Sequence, residues 1–230
     1  GVGTDEVLIG AGADEVLDII GKVFLPPGSR AVVPIPTYAM YRVITEQRGA
    51  TVVPVRRLGP ADGHGLDVPA VRAAARDAAV IWLCDPNNPT ALAEADGAIE
   101  GLLAGVAEDA GADGRDAPVV VLDEAYAEFV GRSLLALRAD YPRLIVVRTA
   151  SKAYALAGLR VGFALALPEI IDTLNPFRSP ASVSTVSVTL VTAALRDDRV
   201  AAANVERVVR ERERLRGELT AAGWSVGPSV

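Results

Sequence analysis

The sequence has very few residues that could cross-link the chain. Its 230 residues include one cysteine, Cys84, and one histidine, His64. A single cysteine cannot form an internal disulfide, and these two side chains alone cannot assemble a zinc site. We therefore expect no metal site, and a reducing location such as the cytoplasm. We expect Cys84 to be a reduced strand residue and His64 an exposed turn residue.

The sequence also lacks an excess of positive charge and any long apolar run. Its net charge is −6 and its pI about 4.9, which argues against nucleic acid or an anionic membrane surface as a partner. No stretch approaches the roughly 18 uncharged apolar residues of a membrane-spanning helix. The N-terminal residues show no basic segment followed by an apolar one. We therefore expect neither a membrane-spanning nor a targeting segment.

Lysine is scarce as well. Of the 23 basic residues, only Lys22 and Lys152 are lysines, and the others are arginines. An arginine side chain stays protonated in proteins, whereas a lysine amine can lose its proton. The choice of lysine at position 152 therefore favours a role that needs a reactive amine.

The composition and the apolar pattern are those of a folded α/β protein. Apolar residues make up 50% and charged residues 23% of the chain, which is a globular balance. Runs that are apolar at every position are typical of strands buried on both faces, and they alternate with helical patterns. This order predicts a three-layer αβα sandwich with a mostly parallel sheet. The predicted strands are 31–35, 50–55, 79–84, 119–122, 144–147 and 161–166, with a further strand beginning at 223–226; the predicted helices are 14–25, 67–76, 93–110, 189–195 and 200–222.

Four polar segments stand at strand ends or helix starts. The first places Gly10 and Gly12 before a helix whose free backbone N–H groups could hold an anion. A dinucleotide-binding fingerprint would need glycine or alanine where Glu15 stands. The alternative of a nucleotide-binding dehydrogenase therefore rests on the first two glycines alone.

The second and third segments follow two wholly apolar runs. Asn87 and Asn88 lie between prolines after the run 79–83, while Asp123 and Tyr126 follow the run 119–122. In an open α/β sheet, ligands bind at the carboxyl ends of the strands. A buried aspartate there needs a partner, such as a cationic nitrogen of a ligand.

The fourth segment surrounds Lys152. Thr149 and Ser151 precede the lysine by three residues and one residue, and Arg160 follows it by eight. Hydroxyl groups and a guanidinium would place phosphate-binding groups beside an amine that can form an imine.

Taken in order, these segments resemble the pyridoxal-phosphate-dependent aminotransferases of fold type I, and more narrowly the histidinol-phosphate aminotransferase subfamily. The resemblance extends through nearly the whole chain, and five ordered motifs are far more specific than any one of them. The motifs are Gly12-Ala13-Asp14-Glu15, Pro36-Thr37-Tyr38-x-Met40-Tyr41, Asp85-Pro86-Asn87-Asn88-Pro89-Thr90, Asp123-Glu124-Ala125-Tyr126-x-Glu128-Phe129 and Ser151-Lys152-Ala153-Tyr154-x-Leu156-Ala157-Gly158-Leu159-Arg160.

The resemblance implies pyridoxal 5'-phosphate as the cofactor and gives each site residue a role. It implies that Lys152 forms an imine with the cofactor aldehyde and later shuttles a proton, and that Asp123 pairs with the pyridinium nitrogen. Tyr38 would stack on the ring, and Tyr126 and Asn88 would hydrogen-bond the phenolic oxygen. The phosphate would be bound by the backbone N–H groups of Ala13 and Asp14, the hydroxyls of Thr149 and Ser151, and the guanidinium of Arg160. The catalytic residues would be Lys152, Asp123 and Tyr126.

The resemblance also implies an activity, partners and a domain division. The implied reaction is transamination of histidinol phosphate with 2-oxoglutarate, in histidine biosynthesis, by a homodimer. Aromatic amino acid transamination, or a pyridoxal-phosphate-binding module without turnover, are the alternatives. Residues 1–190 would form the large cofactor-binding domain and residues 191–230 the beginning of a small C-terminal α/β domain. An arginine for the substrate carboxylate is expected beyond residue 230.

The sequence departs from the family pattern at Ala91, where glycine usually follows the Asn-Pro-Thr motif. If this position has a positive φ, alanine strains the turn by roughly 1 kcal/mol, which a fold can absorb.

Overall fold

The computed structural model describes residues 1–59 and 63–230. Within these ranges the chain forms seven strands and eight α-helices. The strands are β1 (Val7–Gly10), β2 (Arg30–Ile35), β3 (Thr51–Arg56), β4 (Val80–Cys84), β5 (Val119–Asp123), β6 (Leu144–Thr149) and β7 (Gly162–Leu165). The helices are α1 (Ala13–Phe24), α2 (Met40–Gln47), α3 (Val68–Ala74), α4 (Ala98–Ala112), α5 (Ala127–Val130), α6 (Pro168–Leu174), α7 (Thr185–Arg196) and α8 (Arg199–Ala221).

All seven strands belong to one sheet in the order β1-β7-β6-β5-β4-β2-β3. Five neighbouring strands run parallel, namely β3, β2, β4, β5 and β6, whereas β7 is antiparallel to both of its neighbours. The prediction of a mostly parallel sheet is confirmed. Because β5 lies in the middle of the sheet, its residues are buried along its whole length.

Helices cover both faces of the sheet, as the wholly apolar strands require. Along β5, Val119 and Val121 face one apolar core, while Val120 and Leu122 face the other. The first core is closed by α1, α2 and α6, and the second by α3 and α4. Alternate residues of a strand point to opposite faces, so an apolar residue at every position fits a sheet covered on both sides. The predicted three-layer sandwich is confirmed.

Local sequence explains where α1 forms. Asp14 and Glu15 lie in its first turn and Lys22 in its last, which complements the helix dipole. Val16, Ile19 and Ile20 form one stripe and are fully buried against the sheet. The helix is thereby fixed with its N-terminus at the carboxyl edge of the sheet, next to the end of β1.

Strand β1 is missing from the sequence-based prediction. It has four residues and pairs only with β7, in antiparallel register from Val7 with Leu165 to Gly10 with Gly162. A run this short carries little periodic signal, and its pairing depends on a strand about 150 residues away. Its pairing with β7, rather than a local sequence pattern, therefore makes this segment a strand.

The strand predicted at 223–226 is wrong. Residues 222–230 have no regular secondary structure, Trp224 is 67% exposed, and the backbone N–H of Trp224 donates to the carbonyl of Leu219 at 3.0 Å. A strand needs a neighbouring edge to pair with, and this segment has none within the described residues. Elsewhere, α7 begins four residues earlier than predicted, because the Ser184 hydroxyl accepts the N–H of Ser187 as an N-cap.

Two further observations concern the chain as a whole. Residue 190, where we predict the large domain to end, lies inside α7, and the domain division stays a prediction. Among the described residues, no helix combines the length and the apolar character needed to cross a membrane.

Candidate active site

One cavity opens at the carboxyl ends of the parallel strands. It is bounded by the N-terminus of α1 and by the segments that follow β2, β4, β5 and β6. The structure brings all ten residues of the predicted site to its wall. The wall consists of Ala13, Asp14, Tyr38, Cys84, Asn88, Asp123, Ala125, Tyr126, Thr149, Ser151, Lys152, Ala157 and Arg160.

One end of the cavity collects donors for an anion. Ala13 and Asp14 begin α1, and backbone N–H groups of a first helical turn have no partner within the helix. The Thr149 hydroxyl oxygen accepts the N–H of Ser151 at 3.1 Å and lies 3.0 Å from the Ser151 hydroxyl. The half-exposed Arg160 guanidinium lies 3.5 Å from Asp14 Oδ2. These five residues, which we call the anion cradle, form a donor set suited to a phosphate group.

Two glycines let the parts of the anion cradle come together. Gly12 has a φ of +86°, and a Cβ there would collide with the Arg160 guanidinium. A Cβ at Gly162 would overlap the backbone of Gly12 and Ala13. Glycine at position 162 is therefore required for the close approach of α1 to β7, and glycine at position 12 is favoured by its positive φ.

The glycine-rich turn is not arranged like a dinucleotide site. The Glu15 carboxylate folds back and accepts the backbone N–H of Ala11 at 2.5 Å. Glu15 stands where the dinucleotide-binding fingerprint needs a glycine or alanine for close packing of the helix on the strand. The structure thus gives the dehydrogenase alternative no support.

The cavity wall also includes a buried acid. Asp123, 4% exposed, ends β5; its Oδ2 accepts the Tyr41 hydroxyl at 2.8 Å and its Oδ1 accepts the N–H of Ala125 at 3.0 Å. Within the described part of the chain, no arginine or lysine pairs with it. Burial raises the pKa of Asp123 from 3.8 to about 6, although both hydrogen bonds and the charge of Lys152 oppose the rise. A cationic ligand would stabilise the ionised carboxylate.

Lys152 and two tyrosines line the same cavity. The Lys152 Nζ lies 5.2 Å from the centroid of the Tyr126 ring. The Tyr38 hydroxyl donates to Asp14 Oδ1 at 2.9 Å, and burial together with this carboxylate raises the pKa of Tyr38 to about 12. Its phenol is therefore protonated at neutral pH, and its ring forms one side of the cavity.

The loop that carries Lys152 is tied to helix α8. The Asn204 side chain donates to the carbonyl of Ala153, the residue after the lysine, at 3.0 Å. Within the loop, the N–H of Ala155 donates to the Lys152 carbonyl at 2.9 Å. These bonds fix the backbone on which the lysine stands.

The Asn-Pro turn after β4 is held by Asn87. Its amide donates to the Pro36 carbonyl at 3.1 Å and to the Thr90 hydroxyl at 2.8 Å, and its oxygen accepts the Thr37 hydroxyl at 2.8 Å. Asn88 is thereby presented to the cavity. Ala91 has a φ of +55°, so the positive φ considered for this position is present and alanine bears the strain.

No role was assigned from the sequence to Cys84, which lines the cavity, or to Tyr41, which contacts Asp123 from behind the wall. The Tyr41 hydroxyl donates to Asp123, and its signal in the sequence is its place in the motif Pro36-Thr37-Tyr38-x-Met40-Tyr41. Cys84 is free and buried, and burial raises the pKa of its thiol to about 12; it is the reduced strand residue that we expected. His64 is exposed in a turn, also as expected. Within residues 1–59 and 63–230, no group of three His, Cys, Asp or Glu side chains could hold a metal ion.

Comparison with known proteins identifies the family. Residues 2–230 match the family described as aminotransferase class I and II. The chain belongs to the class I and II aminotransferases. The family predicted from the sequence is therefore confirmed.

Two curated relatives of this aminotransferase chain illustrate the range of activities. A histidinol-phosphate aminotransferase of Thermococcus gammatolerans is 38% identical over 95% of this chain and 60% of its own length. An aromatic amino acid aminotransferase of Cutibacterium acnes is 37% identical over 100% of this chain and 63% of its own length. The chain thus spans about three fifths of the length of these relatives.

Solved aminotransferases share the fold. The histidinol-phosphate aminotransferase of Sinorhizobium meliloti, solved in complex with pyridoxal-5'-phosphate, superposes with a TM-score of 0.84 at 26% identity, covering 98% of this chain and 59% of its own. The aspartate aminotransferase of Thermus thermophilus gives a TM-score of 0.87 at 26% identity, covering 99% of this chain and 63% of its own.

We expect Asp123→Asn to remove a pH-dependent loss of stability from the cofactor-free protein. The folded-state pKa of Asp123 is raised, so its contribution to stability is present below its unfolded value and is lost as the pH rises through about 6. Between about pH 4 and about pH 7, the unfolding free energy of the wild type should fall relative to that of the variant by as much as about 3 kcal/mol. Urea denaturation at several pH values measures the difference.

Asp140→Asn, at an exposed carboxylate, is the matched control and should leave the pH dependence unchanged. A stability difference between wild type and Asp123→Asn that stays constant over this pH range would contradict the prediction.

Proposed function

We propose that the chain binds pyridoxal 5'-phosphate and carries the cofactor-binding machinery of a transaminase. The observation that carries this proposal is the position of one amine, Lys152, in a cavity with an anion cradle and a buried acid. The donor set suits the group, since the cradle offers N–H, hydroxyl and guanidinium donors to a phosphate. Within residues 1–59 and 63–230, no lysine or arginine pairs with Asp123, so its carboxylate is available for a protonated ring nitrogen.

In this proposal, each of the ten predicted site residues has a defined task. The anion cradle binds the phosphate, Asp123 holds the ring nitrogen protonated, and Tyr38 packs on the ring. Tyr126 and Asn88 hydrogen-bond the phenolic oxygen. When bound, pyridoxal phosphate supplies an aldehyde that reacts with amines and a ring that accepts electrons from the substrate α-carbon. Lys152 would hold the cofactor through its Nζ, and its amine would carry a proton between the substrate α-carbon and the cofactor carbon that began as the aldehyde.

The substrates we propose are histidinol phosphate as amino donor and 2-oxoglutarate as acceptor, which places the enzyme in histidine biosynthesis. Support comes from curated relatives with the name histidinol-phosphate aminotransferase, at 34–40% identity. The relative from Cutibacterium acnes favours aromatic amino acids as the second candidate. We propose that the arginine for the substrate carboxylate lies beyond residue 230.

The first prediction of this proposal concerns cofactor attachment. Purified protein mixed with pyridoxal phosphate should show an absorbance band near the visible edge. Lys152→Ala should lose this band, because no other lysine of the described residues lines the cavity. Borohydride reduction followed by peptide mass spectrometry should locate the cofactor on Lys152.

The matched control is Lys22→Ala, at the only other lysine, which pairs with Asp18 at 2.8 Å; this variant should keep the band. A band that persists in Lys152→Ala would refute the assignment.

The second prediction concerns turnover. With 2-oxoglutarate as acceptor, histidinol phosphate should be used with a higher kcat/KM than phenylalanine or tyrosine, and Lys152→Ala should lower kcat/KM by at least roughly 100-fold, the usual scale of a lost acid–base group. Coupled glutamate release measures both. Preference for the aromatic donors would favour the second candidate, and cofactor binding without turnover of any donor would indicate a non-catalytic module.

We also propose that the protein is a homodimer. Helix α7 leaves Val186 and Leu190, one turn apart, 65% and 49% exposed, and exposed apolar side chains on one helical face favour a contact with a second copy. Sedimentation should show a dimer that Val186→Asp with Leu190→Asp dissociates, whereas Leu215→Asp, at an exposed residue of α8, should not. A wild type that sediments only as a monomer would contradict this.

The same proposal places the protein in the cytoplasm. Its one thiol is free and buried, which suits a reducing compartment. Recovery of the protein from a secreted or membrane fraction of its cells would contradict the placement.

A further inference from the structure

Tyr41 lies behind the wall of the cavity, and its hydroxyl group reaches the acid at the wall. The side chain is fully buried in the first turn of α2, and its hydroxyl donates to Asp123 Oδ2 at 2.8 Å. The contact links two elements that are 82 residues apart in the sequence. Tyr41 does not line the cavity itself, so any influence on a ligand passes through Asp123.

The ring of Tyr41 is held in one orientation. It stacks on Trp82 with the ring centroids 5.4 Å apart and the planes inclined by 5°, and it meets Tyr38 edge-on at 5.6 Å. The Trp82 indole N–H donates to the Thr45 hydroxyl at 3.1 Å, which donates to the Tyr41 carbonyl at 2.7 Å. The position of the phenolic oxygen is therefore set by packing and does not depend on Asp123.

The phenol is a permanent donor. Burial, followed by the charge of Asp123, raises the pKa of Tyr41 well above 10, so the hydroxyl keeps its proton. Other ionisable groups near the Asp123 carboxylate are Asp14 of α1, Tyr38, Cys84 at the end of β4 and Lys152. Lys152 alone among them favours the ionised carboxylate. The Tyr41 hydroxyl is thus the main side-chain group that stabilises this charge in the protein.

We propose that Tyr41 is a positioning residue that fixes the Asp123 carboxylate, through the hydrogen bond to Oδ2, in the orientation and ionised form that hold a cationic ring nitrogen. The inference rests on the proposed function for the identity of that ring. An ionised carboxylate offers about four lone-pair directions. Tyr41 and the Ala125 N–H use one on each oxygen, which leaves further directions for a ligand and prevents rotation of the group.

The test is Tyr41→Phe, which keeps the ring on Trp82 and removes only the hydroxyl. In the cofactor-free protein, carbon NMR of the aspartate carboxyl groups, assigned with Asp123→Asn, follows the titration of Asp123 directly. Loss of a hydrogen bond to a charged group should strengthen proton binding to Asp123 by roughly tenfold or more, so its titration moves to higher pH. Tyr141→Phe makes the same chemical change at a partly buried tyrosine that packs against the core on the opposite face of the sheet, and it should leave the titration of Asp123 in place.

A second measurement separates positioning from general packing. Equilibrium dialysis with pyridoxal phosphate should show about tenfold weaker binding for Tyr41→Phe than for wild type. In the Asp123→Asn background, adding Tyr41→Phe should change the affinity much less, because the group through which Tyr41 acts is gone. An equal loss in both backgrounds would assign Tyr41 a purely structural role and overturn the inference.

Failure of the inference can be told apart from failure of the proposed function. An unchanged Asp123 titration in a folded Tyr41→Phe, with a wild-type near-ultraviolet circular dichroism spectrum, would overturn the inference even if the wild type binds cofactor. Conversely, a wild type that binds no pyridoxal phosphate would remove the proposed function and, with it, the ligand that this inference assigns to Asp123.

Discussion

The buried carboxylate of Asp123 is the constraint around which the site is arranged. It stands at the end of the central strand, where the sheet has removed it from water and where no basic side chain of the described residues pairs with it. Such a group costs free energy unless hydrogen bonds or a cation compensate. A phenol and one backbone N–H provide part of that compensation, and the open side of the carboxylate faces the cavity. A positively charged ligand in the cavity would supply the remaining compensation for the Asp123 carboxylate.

The loops that bear the site are themselves fixed by ion pairs behind the cavity. Asp85, at the end of β4, accepts Arg132 at 2.9 Å, and Glu124, after β5, accepts Arg148 at 3.1 Å. Glu94 pairs with Arg57, and both side chains are almost completely buried. Breaking a buried pair on one side leaves an uncompensated charge. These pairs join the segments that follow β3, β4 and β5 to one another and to β6, and Asn88 and Tyr126 lie on two of those segments.

Much of the sheet and the membership of the cavity wall were predictable from the sequence. Strands apolar at every position predicted burial on both faces, and polar groups at several strand ends predicted a shared edge. The bond from Tyr41 to Asp123 was not predictable, because it joins a helix to a distant strand and depends on how α2 packs on Trp82. The prediction missed strand β1 and wrongly placed a strand after α8 for a related reason. Whether a short apolar run becomes a strand depends on whether it lies beside a strand edge with which it can pair.

The hydrogen bond from Asn204 to the Ala153 carbonyl has a mechanical consequence. Ala153 is buried, and a buried carbonyl that loses its donor carries a desolvation penalty of about 1–3 kcal/mol. A small displacement of α8 would therefore move the backbone beside Lys152. The position of the longest described helix is in this way coupled to the position of the lysine side chain.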